Sequence, residues 1–249
     1  MTFDSLQIIV PIYNEGENIL RTLEQIEVKI NTPHYILFIY DFDEDNTLPV
    51  VKQYVTERKA NNILLVKNRY GRGALNAIKT GFDATEDDEV VLVVMADLSD
   101  DLSIVDTMFE QISQGYDIVC GSRYMKGGHQ LGGPKLKKFL SRMAGLSLHL
   151  ITRISTHDIS NSFKMYRKSA LKDIKIESRG GFEVGMEIVV KAFLEGYRIT
   201  EVPSTWRDRV AGKSRFSLAK WLPEYLRWYI YALRGRLKHL LLAKPKSPN

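Results

Sequence analysis

Asp97 follows the aliphatic run Val90–Val94 at a distance of three residues, with Ser99, Asp100 and Asp101 directly behind it. A carboxylate at the mouth of a buried strand is a hard oxygen donor, suited to Mg²⁺ or Mn²⁺, and such an ion can take up the charge of a departing diphosphate. Acids in this position can equally cap the helix that follows by accepting its free N–H groups, and Asp100 or Asp101 fits that role. Three other polar clusters also end apolar runs: Tyr13–Glu15, Asp41–Asp45 and Ser122–Arg123. Further along, Lys137, Ser141 and Arg142 fall on one predicted helix, either as an anion-binding group or as a solvated basic face.

These clusters need a frame that gathers them. Leu6–Val10, Tyr35–Tyr40, Ile63–Val66, Val90–Val94 and Asp117–Cys120 are short apolar runs that read as buried strands. Helical spacing fills the intervals, over Glu15–Val28, Thr47–Val55, Gly73–Phe82 and Ile104–Ile112. Strands alternating with helices predict an α/β fold: a mostly parallel sheet with helices on both faces. Ligands in such sheets bind at the carboxyl ends of the strands, where all four clusters lie. Beyond residue 120 the pattern is less regular, with a helix over Phe182–Leu194, a strand over Arg198–Val202 and a long helix over Phe216–Leu242. Gly71-Arg72-Gly73 lacks the lysine and hydroxyl residue of a phosphate-binding loop and reads as a tight turn.

The 249 residues suffice for one large domain, and the expected division is 1–215 for that domain and 216–249 for a basic amphipathic helix and tail. From Lys220 onward seven lysines and arginines face the single acid Glu224, so the formal charge of +5 belongs to the tail. That argues against a nucleic-acid-binding body and for a local anionic partner. Trp221, Tyr225, Trp228 and Tyr229 lie at helical spacing with Arg227, Arg234, Arg236 and Lys238 interleaved, which suits a membrane headgroup layer. Packing on the main domain, or a homo-oligomer contact, is the other use of such a helix. No apolar run reaches membrane-spanning length and no leader is visible, so the expected location is cytoplasmic and peripheral at a membrane face. Cys120, the lone cysteine, reads as a buried strand residue.

The ordered set Val10-Pro11-Ile12-Tyr13-Asn14-Glu15, Asp41–Thr47, Ala96-Asp97-Leu98-Ser99 and Gly121-Ser122-Arg123-Tyr124 resembles the family 2 glycosyltransferases of GT-A fold. Asp158–Lys164, Glu201-Val202-Pro203 and Asp208–Arg215 narrow the resemblance to the subgroup of dolichyl- and polyprenyl-phosphate sugar transferases. The resemblance implies that Pro11, Tyr13, Glu15, Ile39 and Asp41 line a nucleotide pocket for a GDP- or UDP-linked sugar. It implies that Ala96, Asp97 and Ser99 sit at the diphosphate, with Asp97 and Ser99 at the Mg²⁺ or Mn²⁺, and that Arg123, Arg209 and Arg215 neutralise phosphate. Asp97, Arg123 and Arg209 would be the catalytic set, and Lys137, Ser141 and Arg142 would meet the acceptor phosphate of a polyprenyl lipid. Met95 departs from the pattern, standing where the family's first metal-site aspartate is usual, and so does Tyr40-Asp41-Phe42-Asp43. A hydroxyl acceptor would instead require a carboxylate base, for which Glu187 and Asp158 are the candidates. Met95 also leaves open a non-catalytic sugar-nucleotide-binding subunit.

Overall fold

β1 (Leu6–Ile12) shows why the sheet forms: six of its seven residues are buried, so both of its faces must be covered. In the computed structural model, which describes residues 3, 5–86, 89–208 and 218–242, β1 lies between β2 (His34–Tyr40) and β4 (Val90–Val93), parallel to both. β3 (Ile63–Lys67) extends the parallel set beyond β2. On the other side the order continues through β7 (Lys164–Arg167), β5 (Ile118–Ser122) and β8 (Ile199–Pro203), giving β3-β2-β1-β4-β7-β5-β8. β7 runs antiparallel to both neighbours. It is the one central strand that the apolar-run pattern does not predict, because KMYR carries a charge at each end.

Alternate residues of β1 enter opposite cores. Leu6, Ile8, Val10 and Ile12 pack with α1 (Ile19–Lys29), α2 (Thr47–Arg58) and α4 (Val105–Ser113), while Ile9 joins α3 (Ala74–Asp83) and α7 (Val184–Leu194). α3 approaches so closely that a Cβ at Gly81 would lie 2.4 Å from the Ile9 side chain. The rest comprises α5 (Lys135–Thr152), the short α6 (Lys168–Lys172), α8 (Leu218–Leu242), and a two-stranded parallel ribbon of β6 (His129–Leu131) with β9 (Thr205–Arg207). α8 contributes Trp228 and Ala232 to the α3/α7 core, and the Trp228 indole donates to Ser178 Oγ at 3.1 Å. Of the helix expected over Phe216–Leu242, Leu218–Leu242 is found and contains Pro223, while residues 216 and 217 lie outside the described residues.

Candidate active site

β1, β2 and β4 all deliver their carboxyl ends to one mouth, and the loops there are built by side chains accepting backbone N–H groups. Past β1, Asn14 takes a left-handed φ of 54°, and its N–H donates to Asp45 Oδ2 at 2.9 Å. The N–H groups of Glu15 and Gly16 donate to Thr47 Oγ1 (2.9 Å) and Asn46 Oδ1 (3.0 Å). Asp41, at the end of β2, accepts Asn68 Nδ2 at 2.8 Å on one oxygen and the Gly73 N–H at 2.9 Å on the other. It thereby holds the Gly71-Arg72-Gly73 turn over the mouth, where both glycines adopt positive φ. Tyr13 stands exposed, edge-on to Phe42 with ring centroids 5.5 Å apart, and the Arg72 guanidinium lies over the Phe42 ring, 5.1 Å from its centroid. Pro11 pairs with Ile39 across the two strands. Ile39 is fully buried, so strand alternation turns its side chain into the core and leaves its backbone nearest the mouth.

The loop after β4 turns sharply. Leu98 has φ 61°, and Asp97 Oδ1 accepts the Ser99 N–H at 3.2 Å, which leaves the half-buried Asp97 carboxylate at the strand mouth. Ala96 and Ser99 are buried; the Ala96 carbonyl accepts Thr22 Oγ1 at 3.2 Å, and the Ser99 carbonyl accepts the Arg207 N–H at 3.0 Å. Met95 is partly buried and packs against the α3/α7 core. Its N–H donates to Asp100 Oδ2 at 3.1 Å. Burial pushes the Asp100 carboxyl up to about 7, helped by the charge of Asp97 and opposed by the Met95 N–H. Asp101 is the cap that the sequence allowed: its Oδ1 accepts the Ser103 N–H at 3.3 Å, at the start of a 3₁₀ turn leading into α4. Its Oδ2 accepts the Thr205 N–H at 3.2 Å, which ties the loop to β9.

The donor set here is Asp97, with Ser99 and Asp100 beside it: hard oxygens that fit Mg²⁺ or Mn²⁺. Among the described residues no group of three or more His, Cys, Asp or Glu side chains is placed to hold a metal alone. A divalent ion would therefore need substrate phosphates to complete its shell, as Mg²⁺ commonly does.

Two strand positions away, past β5, the chemistry changes sign. Arg123 is gripped by Asp158: Nε donates to Oδ2 at 2.6 Å, Nη2 to Oδ1 at 2.8 Å, and the Arg123 backbone N–H to Oδ2 at 3.0 Å. The two side chains are 8% and 0% exposed. The guanidinium charge and its hydrogen bonds hold the Asp158 carboxyl below its ordinary range despite burial, and the pair keeps Arg123 protonated. Nη2 also reaches Ser141 Oγ and Ser160 Oγ, both at 3.1 Å, while Tyr124 bridges Ser141 Oγ and Gln130 Oε1, both at 2.9 Å. α5 comes this close because Gly145 has no side chain: a Cβ there would lie 2.1 Å from the His157 carbonyl oxygen.

A cleft of about 380 Å³ opens beside this network, lined by Arg123, Tyr124, His129, Gln130, Lys138 and Arg142 among others. Of the expected acceptor residues, Ser141 joins the network and Arg142 the cleft wall. Lys137 is half-buried and does not line the cleft; Lys138, one residue and about 100° further round the helix, does, with Nζ donating to the Gln130 carbonyl at 2.9 Å. The i, i+4 spacing of Lys138 and Arg142 was the signal available for it. Tyr225 of α8 lies within electrostatic reach of Arg123 and Asp158, a neighbour that sequence spacing did not reveal. Arg209 and Arg215 lie outside the described residues.

This arrangement is that of a glycosyltransferase family. Residues 7–175 match the family model described as Glycosyl transferase family 2, and the chain belongs to that family. Among characterised relatives, a "Dolichol-phosphate mannosyltransferase" of Pyrococcus furiosus is 28% identical over 92% of this chain and 63% of its own length. A "Polyprenol monophosphomannose synthase" of Mycolicibacterium smegmatis is 26% identical over 92% of this chain and 88% of its own. The chain thus spans under two thirds of the first relative and most of the second. The fold matches glucosyl-3-phosphoglycerate synthase of Mycobacterium tuberculosis in complex with Mn²⁺, UDP and phosphoglyceric acid, at a TM-score of 0.67 and 15% identity over 98% of this chain and 80% of that one. A Mg²⁺ and UDP complex of the same enzyme matches at 0.63 and 15% identity, over 98% and 81%. The expected α/β architecture, a GT-A fold with a mostly parallel sheet and a C-terminal helix, is the one found.

Proposed function

We propose that the chain transfers a hexose, mannose or glucose, from a GDP- or UDP-linked donor to the phosphate of a polyprenyl or dolichyl lipid, with inversion at the anomeric carbon. The observation that carries this reading is the state of the two carboxylates that a hydroxyl acceptor could use as a base. Asp158 is fully engaged by Arg123. Glu187 accepts the N–H groups of Glu177 (2.6 Å) and Ser178 (2.7 Å) and the Lys191 ammonium (2.7 Å). The two candidate bases for a hydroxyl acceptor are therefore both committed to structure. A phosphate monoester needs no base, since its second pKa of about 6 leaves it mostly dianionic at neutral pH. It needs cations to hold it, and Arg123, Lys138 and Arg142 supply them.

On this reading Tyr13, Glu15 and Asp41 hold the nucleotide against the mouth formed by Pro11 and Ile39, and Arg209 and Arg215 add positive charge at the diphosphate. Asp97 and Ser99 would hold a Mg²⁺ or Mn²⁺ ion, whose chemistry there would be neutralisation of the leaving diphosphate's charge. One acceptor oxygen forms a bond to the anomeric carbon as the bond to the diphosphate oxygen breaks on the opposite face; no proton moves. The strands that lead to Asp97 and Arg123 flank β7, two strand spacings or about 10 Å apart, and the sugar ring would lie between the two charged ends.

No described helix is long and apolar enough to cross a membrane, so a lipid acceptor implies work at a membrane surface, and we place the protein on the cytoplasmic face. The test mixes protein, Mg²⁺ or Mn²⁺, a panel of labelled nucleotide-sugars and a polyprenyl phosphate. Label is expected in the lipid phase with one donor class; label that stays in water with every donor refutes the reading. The position of Met95 keeps a non-catalytic sugar-nucleotide-binding subunit as the second reading. It predicts nucleotide binding without turnover, and turnover gained on Met95→Asp.

A further inference from the structure

A second cleft, of about 520 Å³, opens between α1, the loop after β4 and β9, and the proposed transfer makes no use of its basic wall. Arg21 and Lys29 stand about two turns apart on α1 with Gln25 between them, so one face of the helix presents all three to the cleft. Arg207 joins them from β9. Among the described residues, no hydrogen bond or ion pair engages the side chain of Arg21, Lys29 or Arg207. Two of the three acids in the lining are already engaged. Asp100 Oδ2 accepts the Met95 N–H, and Asp101 accepts the N–H groups of Ser103 and Thr205. The third, Glu24, lies within electrostatic reach of Tyr54 on α2. The same walls hold the Asp97 loop on either side of that residue. Thr22 Oγ1 donates to the Ala96 carbonyl at 3.2 Å, and the Arg207 N–H donates to the Ser99 carbonyl at 3.0 Å.

A guanidinium offers a planar fork that matches phosphate oxygens, and an ammonium adds a compact point charge. Arg21 and Lys29 stand about 12 Å apart along the helix axis, at about 1.5 Å per residue, so linked phosphates suit this wall better than a single one. The volume is that of a small-molecule site rather than of a macromolecular contact. We propose that this cleft binds a dissolved anion carrying two or more linked phosphates, at a site separate from the donor mouth and the acceptor cleft. Because Thr22 and Arg207 hold Ala96 and Ser99, an occupant bridging α1 and β9 braces the loop that presents Asp97. The site stands whether or not the chain transfers a sugar; only an effect on transfer would rest on that proposed function.

Calorimetry on the full chain tests this without turnover, using inorganic phosphate, pyrophosphate and tripolyphosphate at low salt in EDTA. The chelator removes divalent ions, so no anion reaches the donor mouth as a metal complex. One-to-one binding is expected, tightening from phosphate to tripolyphosphate. Arg21→Gln combined with Arg207→Gln should weaken tripolyphosphate about tenfold or more, with an unchanged melting curve, and Glu24→Gln should strengthen it. Asp97→Asn at the mouth and Arg142→Gln at the acceptor cleft should leave its affinity as it is. Amide exchange at Arg207 should slow when tripolyphosphate is bound. Absence of binding, indifference to the arginine pair, or an equal loss on Arg142→Gln would each overturn the site, and unchanged exchange at Arg207 would overturn the bracing of the loop. GDP and UDP binding with Mn²⁺ reads the donor mouth separately: the arginine pair should match the parent there, and failure of the parent to bind either nucleotide would count against the donor reading alone.

Discussion

The donor mouth and the acceptor cleft are both polar, yet they are built by different means. At the mouth, Asp41, Asp45, Asp97, Asp100 and Asp101 each accept a backbone N–H, of their own loop or of a facing one, so each holds a piece of backbone rather than another mouth side chain. At the cleft, Arg123, Asp158, Ser141, Ser160, Tyr124 and Gln130 bond side chain to side chain, so each depends on the next. Damage should stay local in the first region and spread in the second.

The largest expected effect follows from breaking the shared network. Asp158→Ala leaves a buried guanidinium unpaired and should cost about 3–5 kcal/mol in denaturant unfolding, where Arg123→Lys also fails because the two-point fork is lost. An Asp158→Ala protein as stable as the parent would remove the distinction. Asp97→Asn should do the reverse, with stability within about 0.5 kcal/mol of the parent and sugar transfer reduced by about a hundredfold or more. The accompanying measurement is the thermal shift with nucleotide, which should lose its dependence on Mg²⁺ or Mn²⁺. Asp45→Ala strips the acceptor from Asn14 N–H and from Thr47 N–H at the start of α2, and about 1–2 kcal/mol of stability should go with it. Acceptor KM should hardly move, whereas Ser141→Ala should raise it.

The smallest effect is in the pH dependence. Asp100 binds its proton more tightly folded than unfolded, so between its ordinary carboxylate range and about pH 7 the native state carries the extra proton. Its contribution to stability is therefore present at low pH and declines as pH rises through that window. Asp158 has the opposite sign: its depressed pKa stabilises the fold above the ordinary carboxylate range, and that contribution is lost as pH falls through the lowered value. Melting curves across pH should show Asp100→Asn flattening the decline toward neutrality; an unchanged slope would mean Asp100 does not titrate there.

The same contrast explains what was readable beforehand. Asp97 with Ser99, and Asp101 with Ser103, act over two residues, and the strand beneath them is an unbroken aliphatic run, so this loop and its strand were legible from the chain alone. At the cleft, Arg123 reaches Ser141 and Ser160 across 18 and 37 positions, and no local pattern couples them. β7 was hidden because Lys164 is charged yet fully buried; its ammonium is satisfied by the carbonyls of Ile159 and Asn161, and burial lowers its pKa. For α8, amphipathic spacing announced a helix with aromatic and basic residues. That Trp228 turns inward to Ser178 while Leu226 and Ile230 turn out depends on where α7 and the chain before it lie, which spacing does not encode.

The late arrival of β7 bears on how the molecule is made. During synthesis β4 emerges with both faces aliphatic and one edge satisfied by β1, but its other edge waits more than seventy residues for Lys164–Arg167. A ribosome-bound or prematurely terminated chain ending before that strand would present Val90–Val93 as an open, uncharged edge, the kind that recruits foreign strands. Truncations ending before residue 164 should therefore precipitate, whereas those that include it gain a partner for β4 and β5 in a single step.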